Sequence, residues 1–136
     1  ALRAVRTACD LPVVVSMTFD AGVRGPATMM GVTPQRAAEE LTAMGADLVG
    51  ANCGRLGNDE WVEAIRVMAG ATDRPVWAKP NAGIPQLVAG RSVFPMGPQE
   101  FAALGKALVE AGAHVIGGCC GTTPEHIAAL VAALRG

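Results

Sequence analysis

The feature that most constrains the fold of this 136-residue chain is a regular alternation of short apolar runs with amphipathic stretches. The apolar runs are bounded by turn residues and are typical of fully buried strands; they cover residues 11–19, 47–53, 75–79 and 114–119. Apolar residues at helical spacing follow each run. Because buried strands joined by helices pair in parallel, the pattern predicts four strand–helix units built on a parallel sheet.

The predicted helices begin at recognisable N-terminal signals. Thr33-Pro34, Gly97-Pro98 and Thr123-Pro124 place proline at the first helical position, and Asn58 is predicted to cap the remaining helix. The long stretch from the third apolar run through Arg91 to Met96 is predicted to be a loop. The residues predicted to face inward are Ala37, Ala38, Leu41 and Met44, then Trp61, Val62, Ile65 and Met68, then Phe101, Leu104, Leu108 and Val109, and finally Ile127, Leu130 and Leu134.

Composition excludes several classes of function. The chain has 11 basic and 12 acidic residues, with a formal net charge of -1, so we expect no nucleic-acid partner and no anionic membrane surface. No apolar run approaches the roughly 18 residues that a membrane helix needs. Residues 1–10 have no apolar stretch and are not expected to be a secretion signal; they resemble the tail of a helix, which suggests a chain cut from a larger one. Four cysteines in a core-rich chain favour a reducing cytoplasm, with thiols free or bound to metal.

An internal repeat reduces the number of folds that the sequence is compatible with. Residues 45–54 are similar to residues 112–121, and residues 11–14 are similar to 74–77. Such a repeated pair of strand–helix units is typical of a (β/α)₈ TIM barrel, which needs about 250 residues. Residues 1–136 are therefore predicted to form a single partial domain, four units of such a barrel. An open flavodoxin-like sheet is the alternative, since right-handed strand–helix–strand units build both.

Three of the four cysteines lie where predicted strands end. Cys53 ends the second strand and Cys119-Cys120 the fourth, at the edge where parallel sheets collect functional groups. Neighbouring glycines allow the chain to break there, so that both adjacent thiols aim at one point. Three thiolates without a fourth protein ligand are the pattern of a catalytic zinc site. The alternative is three small buried apolar side chains.

The remaining thiol and imidazole groups are not predicted to be ligands. Cys9 lies in the first helical segment, away from the strand ends, and is predicted to pack. His114 begins its strand and belongs to the opposite rim. His126 falls at the start of the last helix and is predicted to be a solvated or capping residue. Lys79, at the end of the third strand, could reach a substrate carboxylate or keep its tip in water.

Several motifs together resemble the homocysteine S-methyltransferase family, particularly the homocysteine-binding barrel of its cobalamin-dependent members. They are Ser16-Met17-Thr18-Phe19-Asp20, Gly50-Ala51-Asn52-Cys53-Gly54, Pro80-Asn81-Ala82-Gly83 and Gly117-Gly118-Cys119-Cys120-Gly121-Thr122-Thr123. The resemblance runs over essentially the whole chain and corresponds to the C-terminal half of the family's barrel, strands five to eight. It implies that Cys53, Cys119 and Cys120 hold Zn²⁺. It further implies that Asp20 binds the substrate amino group and that Asn52 and Asn81 line the pocket.

The implied reaction is zinc-dependent methyl transfer to the thiol of homocysteine, forming methionine. Zinc deprotonates a bound thiol, and three cysteine thiolates plus the substrate thiolate leave two net negative charges on the centre. This excess charge makes the zinc-bound thiolate the nucleophile that attacks the methyl group in line. The methyl donor is open: methylcobalamin on another module is implied by the resemblance, and S-methylmethionine and betaine follow the same zinc chemistry.

Two other functions are compatible with the residues. A truncated, non-catalytic half-barrel could retain the zinc site and serve assembly, and a redox-responsive protein could use Cys119-Cys120. A lone half-barrel would expose two sheet edges and an apolar inner face. We therefore expect a companion, either a missing N-terminal half-barrel or a second copy of the chain.

Overall fold

Five helices and six strands follow one another in an order that contains all four predicted strand–helix units. A computed structural model describes all residues 1–136. The elements are α1 (Leu2–Ala8), β1 (Val14–Met17), α2 (Pro34–Ala43), β2 (Leu48–Asn52), α3 (Asn58–Gly70), β3 (Val76–Lys79), β4 (Gln86–Val88), β5 (Arg91–Val93), α4 (Pro98–Glu110), β6 (Ala113–Ile116) and α5 (Pro124–Arg135).

The main sheet has four parallel strands in the order β1-β2-β3-β6. Spatial neighbours are therefore consecutive units of the chain, and the order never reverses. A doubly wound open sheet such as the flavodoxin-like one contains a point where the strand order reverses. The uninterrupted order is compatible with half of a (β/α)₈ barrel, and the predicted parallel α/β sheet is confirmed.

One face of this sheet is buried against helices. Helices α2, α3 and α4 pack against strands, each helix also contacts the next, and α5 packs on α4. Strand residues at alternate positions enter this core, as the period of two requires; among the fully buried ones are Val49, Ala51, Val76 and Ala78. The helix-facing side of the sheet is therefore the apolar one.

The opposite face of the sheet is only partly covered and mixes apolar with polar side chains. It presents Val14 and Ser16 of β1, Asn52 of β2, and Trp77 and Lys79 of β3, which line an open cavity. The predicted apolar inner face therefore also carries polar groups, at Ser16, Asn52 and Lys79.

The helix N-termini agree closely with their sequence signals. Thr33 caps α2 by accepting a hydrogen bond from the Arg36 N–H at 3.3 Å. Proline is the first residue of α2, α4 and α5, as predicted. Helix α3 differs by one residue: Asn58 is its first residue, and Gly57 is the N-cap, with its N–H bonded to Glu60 Oε2 at 2.7 Å.

The strands are shorter than the apolar runs that predicted them. Strand β1 excludes residues 11–13 and 18–19, and Leu11 is 68% exposed. Strand β6 ends at Ile116, three residues before Cys119, although the Gly117 N–H still donates to the Ala78 carbonyl at 3.0 Å. Four predicted inward positions are also wrong, since their side chains are exposed at the surface of the helices: Met44, Val109, Ile127 and Leu134.

The segment predicted to be a loop contains a second, two-stranded sheet. Strands β4 and β5 form an antiparallel hairpin with Ala89 (φ 48°) and Gly90 (φ 76°) at its turn. Positive φ at both central residues is the geometry of the common two-residue hairpin turn, whose usual sequence is Asn-Gly or Asp-Gly. Alanine is unusual at the first position, so the sequence carries little signal for this hairpin.

Helix α1 is fixed to the sheet by one ion pair at the edge opposite the cysteines. Arg6 bonds to the Asp47 carboxylate and to the Gly45 carbonyl, and Asp47 also accepts the Val13 N–H at 2.7 Å. None of the five helices has the length and apolar character needed to cross a membrane.

We predict that Asp47→Asn lowers stability at neutral pH and flattens its acid dependence. The hydrogen bond from the Val13 N–H, followed by that from Arg6, holds the pKa of Asp47 below its ordinary value. A lowered pKa stabilises the fold above the unfolded-state pKa of about 3.9 and ceases to do so as pH falls through the folded-state pKa. Melting temperatures measured from pH 7 to pH 2 check this.

The matched control is Asp73→Asn, because the exposed Asp73 carboxylate meets only its neighbour Arg74. We expect this variant to follow the wild-type pH profile. An Asp47→Asn profile that runs parallel to the wild type at all pH values would contradict the assignment.

Candidate metal centre

Cys53 lies at a sharp left-handed turn that ends strand β2. Its φ is 56° and that of Gly54 is 74°, so neither residue continues the extended strand. A Cβ on Gly54 would lie 2.0 Å from the Phe19 carbonyl oxygen, so only glycine fits at this position. The Cys53 N–H donates to the Lys79 carbonyl at 3.1 Å. The turn therefore holds Cys53 against the end of β3.

Cys119 and Cys120 lie in the loop that follows β6, beside the segment that leaves β3. The Cys119 N–H donates to the Pro80 carbonyl at 2.9 Å, and the Ala82 N–H donates to the Cys120 carbonyl at 2.9 Å. Gly121 follows with φ 79°, and a Cβ there would lie 2.2 Å from the Phe94 ring. The loop thus departs from strand geometry. This departure is needed because adjacent side chains of a regular strand point to opposite faces and could not direct both thiols to one point.

The three sulfur atoms meet at the carboxyl edge of the sheet. Cys53 Sγ lies 3.0 Å from Cys119 Sγ and 3.5 Å from Cys120 Sγ, and all three lie within 4.8 Å of one another. Disulfide sulfurs are about 2.05 Å apart, so these are separate thiols. No histidine or carboxylate belongs to the cluster.

The donor set fits zinc. Tetrahedral zinc with Zn–S bonds of about 2.3 Å separates its sulfur ligands by about 3.8 Å, within the range of the cluster. Three thiols supply three of four positions, which is the ligand number of a catalytic rather than a structural zinc site. Cys53 and Cys119 are half-buried and Cys120 is exposed, so the centre opens toward solvent on the Cys120 side.

Asn81 connects the two loops that carry the cysteines. Its Nδ2 donates to the Gly54 carbonyl at 3.1 Å, and its Oδ1 accepts the Cys120 N–H at 3.1 Å. The side chain is buried, with 8% of its surface exposed. Asn81 was predicted as a pocket residue; the structure places it beside the centre with both ends of its amide bonded to backbone.

Asp20 lies just after β1, next to the turn that follows Cys53. It forms bridges with Ala27 and Arg55, and its Oδ1 accepts the Arg55 N–H at 2.8 Å. The residue is exposed. The structure therefore brings Asp20 to the rim of the centre with one carboxylate oxygen bonded to the loop after Cys53, and its role toward a substrate amino group stays a prediction.

Asn52 faces the open side of the sheet together with Ser16 and Lys79. Asn52 Oδ1 accepts the Ser16 hydroxyl at 2.6 Å. Both residues line an open cavity of about 270 Å³, which Lys79 and Cys119 also line. The structure thus joins Asn52 and Cys119 in one cavity, on the side of the sheet away from the helices.

Lys79 is the cation of this cavity. Its Nζ lies 5.7 Å from the centroid of the Trp77 ring, within the range of a cation–π contact. None of the four ion pairs of the chain includes Lys79. A half-buried ammonium without a carboxylate partner therefore faces the cavity that Cys119 also lines.

The other three residues considered in the sequence lie outside the sulfur cluster. Cys9 ends α1 and is half-buried. His114 lies at the start of β6, where its Nδ1 accepts the Val76 N–H at 3.2 Å. His126 was predicted to be solvated or capping; it does cap α5, but it is buried, with 7% exposed.

Sequence reasoning missed how three residues support the site. Ser16 lies in a motif quoted for the family resemblance, yet its bond to Asn52 depends on the register of β1 against β2. The bridging amide of Asn81 depends on two loops that are distant in sequence. The burial of His126 depends on the segment that ends at Met96, and no local sequence pattern predicts this burial.

Comparison with known proteins identifies the family of the chain. The family model for homocysteine S-methyltransferase matches residues 1–134. Methionine synthase of Mycobacterium leprae is 37% identical over 126 residues, covering 91% of this chain and 10% of that protein. Methionine synthase of Mycobacterium tuberculosis is 41% identical over 92 residues, covering 67% of this chain and 8% of that protein. The chain thus spans about a tenth of the length of these relatives, and it belongs to the homocysteine S-methyltransferase family.

Proposed function

We propose that this chain carries the zinc-binding half of a homocysteine-binding (β/α)₈ barrel and takes part in methyl transfer to homocysteine, forming methionine. The convergence of Cys53, Cys119 and Cys120 at the carboxyl edge of the sheet carries the proposal. Zinc, when bound by these thiols, keeps the substrate sulfur in its thiolate form at neutral pH.

The protein's own residues hold the three thiols in place. Cys53 and Cys119 donate their N–H groups to the carbonyls of Lys79 and Pro80, so both are fixed to the same short segment. The Asn81 amide joins the two loops directly. Preorganisation of this kind lets the reacting sulfur meet a methyl group without further rearrangement, at about 3–3.5 Å.

The polar side chains around the centre are suited to an amino-acid substrate. Asp20 offers a carboxylate at the rim for the substrate ammonium, with one oxygen free of the bond to Arg55. Asn52 and Lys79 present an amide and an ammonium in the cavity beside Cys119. The opposite charges of Asp20 and Lys79 match the ammonium and carboxylate groups of homocysteine.

Further parts of the reaction belong to other modules. We propose that a second half-barrel covers the polar sheet face, since that face leaves Lys79 without a carboxylate partner and the curated relatives are far longer than this chain. A methyl donor, methylcobalamin in the proposal that the family favours, would be carried by a separate module. A cytoplasmic location also stays a prediction.

We predict that Cys53→Ser strongly weakens zinc binding. The wild-type protein should bind one zinc ion through three sulfurs. Loss of a group that only hydrogen-bonds to a metal ligand weakens metal binding by up to about 100-fold. Loss of a ligand itself should therefore weaken zinc binding by more than that. Competition with a chromophoric chelator measures affinity. X-ray absorption at the zinc edge should show a fourth sulfur when homocysteine is added.

Cys9→Ser is the matched control, because Cys9 lies at the end of α1 outside the cluster. It should leave zinc affinity unchanged. A zinc affinity of Cys53→Ser equal to that of the wild-type protein would overturn the proposal. Zinc binding without any change in sulfur coordination on adding homocysteine would favour the non-catalytic half-barrel instead.

We also predict that Asn81→Ala destabilises the protein and weakens zinc binding. The substitution leaves the Gly54 carbonyl and the Cys120 N–H without their partner. Each unsatisfied buried group lowers the free energy of unfolding by about 1–3 kcal/mol. Urea unfolding of the metal-free protein measures the loss of stability.

The comparison variant is Asn58→Ala. Asn58 is exposed at the first turn of α3, and its amide only reaches Glu100 at 3.5 Å, so we expect a change within about 0.5 kcal/mol. Equal losses of stability in the two variants would show that Asn81 does not connect the loops in solution.

A further inference from the structure

His126 is a buried histidine with a partner on each ring nitrogen. Its Nε2 lies 2.9 Å from the Met96 carbonyl oxygen, and its Nδ1 lies 3.2 Å from the Thr123 backbone nitrogen and 2.9 Å from the Thr123 hydroxyl oxygen. The ring meets the edge of Phe101 at a centroid distance of 5.6 Å and an interplanar angle of 86°. The aromatic contact and the two hydrogen bonds together fix the orientation of the imidazole.

These partners determine the tautomer. A carbonyl oxygen only accepts, so Nε2 carries the proton and donates to Met96. The unprotonated Nδ1 then accepts the Thr123 N–H, as a capping side chain does at a helix N-terminus. The Thr123 hydroxyl bonds to Glu125 Oε2 at 2.5 Å, and this hydrogen bond lowers the pKa of Glu125.

His126 closes a ring of hydrogen bonds that includes a cysteine of the candidate metal centre. The Ala82 N–H donates to the Cys120 carbonyl at 2.9 Å, and the Met96 N–H donates to the Ala82 carbonyl at 3.1 Å. The Met96 carbonyl accepts from His126, and His126 accepts from Thr123. Thr123 is three residues from Cys120 along the chain, which completes the circuit.

We infer that His126 is a positioning residue for Cys120. The inference rests on the proposed zinc centre, and it assigns His126 a role beyond capping α5. The imidazole ties the loop after β6 to the segment that precedes α4, and that segment holds Ala82 against Cys120. Loss of the Nε2 donor releases Met96 and, through it, the backbone that fixes Cys120.

An ordinary helix cap would behave differently. A cap stabilises only the first turn of its own helix, whereas the ring predicts an effect at Ala82 and Met96, on other elements. Backbone amide exchange at these two residues therefore distinguishes the two roles, and it needs no bound metal.

The experiment compares His126→Leu, His126→Gln and Thr33→Ala with the wild-type protein. Leucine removes both hydrogen bonds and keeps an apolar side chain beside Phe101. Glutamine can accept the Thr123 N–H as in a capping box and still offers an N–H donor to Met96. Thr33→Ala removes the cap of α2, a loss of the same kind at a helix outside the ring.

We expect faster amide exchange at Ala82 and Met96 in metal-free His126→Leu, together with zinc binding weakened by about 10-fold. Glutamine should restore most of both properties. Thr33→Ala should lower the melting temperature and leave exchange at Ala82 and Met96, and zinc affinity, as in the wild type.

Exchange that rises only in the first turn of α5 would overturn the inference, as would unchanged zinc affinity in His126→Leu. A wild-type protein that binds no zinc would instead refute the proposed function. The exchange pattern of the metal-free variants would in that case still show whether His126 holds the Cys120 loop.

Discussion

The candidate centre depends on one short segment, Lys79 to Ala82, which leaves strand β3 between the two loops that carry cysteines. The carbonyls of Lys79 and Pro80 receive the N–H groups of Cys53 and Cys119. Asn81 bonds to both loops through its side chain, and Ala82 bonds to the Cys120 carbonyl. Four consecutive residues thus set the positions of three sulfur atoms. Because β3 lies between β2 and β6 in the sheet, this segment is the one that can reach both loops.

The architecture was largely predictable from local pattern. Short apolar runs and Thr-Pro or Gly-Pro pairs locate the strands and helix starts, because burial and the fixed φ of proline act within a few residues. The strand boundaries were less predictable. Glycines 117 and 118 are compatible with a strand or with its end, and the exit of the chain toward Pro80 decides between them. The β4–β5 hairpin was missed because Ala89 at its turn carries none of the usual Asn or Asp signal.

The candidate site was also predictable in part: the meeting of the cysteines could be predicted, and the hydrogen bonds that hold them could not. That Cys53 and Cys119-Cys120 would meet follows from topology, since the carboxyl ends of all strands of a parallel sheet share one edge and only β3 separates β2 from β6. The hydrogen bonds that hold them could not be read from sequence. The Asn81 amide has donors and an acceptor that many partners would satisfy, and its choice of Gly54 and Cys120 depends on two loops folded against each other. His126 was predicted to be solvated or capping from its place at a helix start; it caps α5, and its burial against Met96 could not be read from that local pattern.

The placement of the sulfur atoms has a consequence for how the centre can be assembled. Cys53 is separated from its two partners by 66 and 67 residues along the chain, and every bond that holds the three cysteines runs between residues 53 and 126. Closing such a loop has a modest entropic cost that grows only with the logarithm of its length. The geometry of the thiols is therefore set by three adjacent strands and their exits. In the proposed barrel, the remaining strands would enclose the substrate and would not build the ligand set, so the candidate metal-binding unit is one continuous stretch of polypeptide.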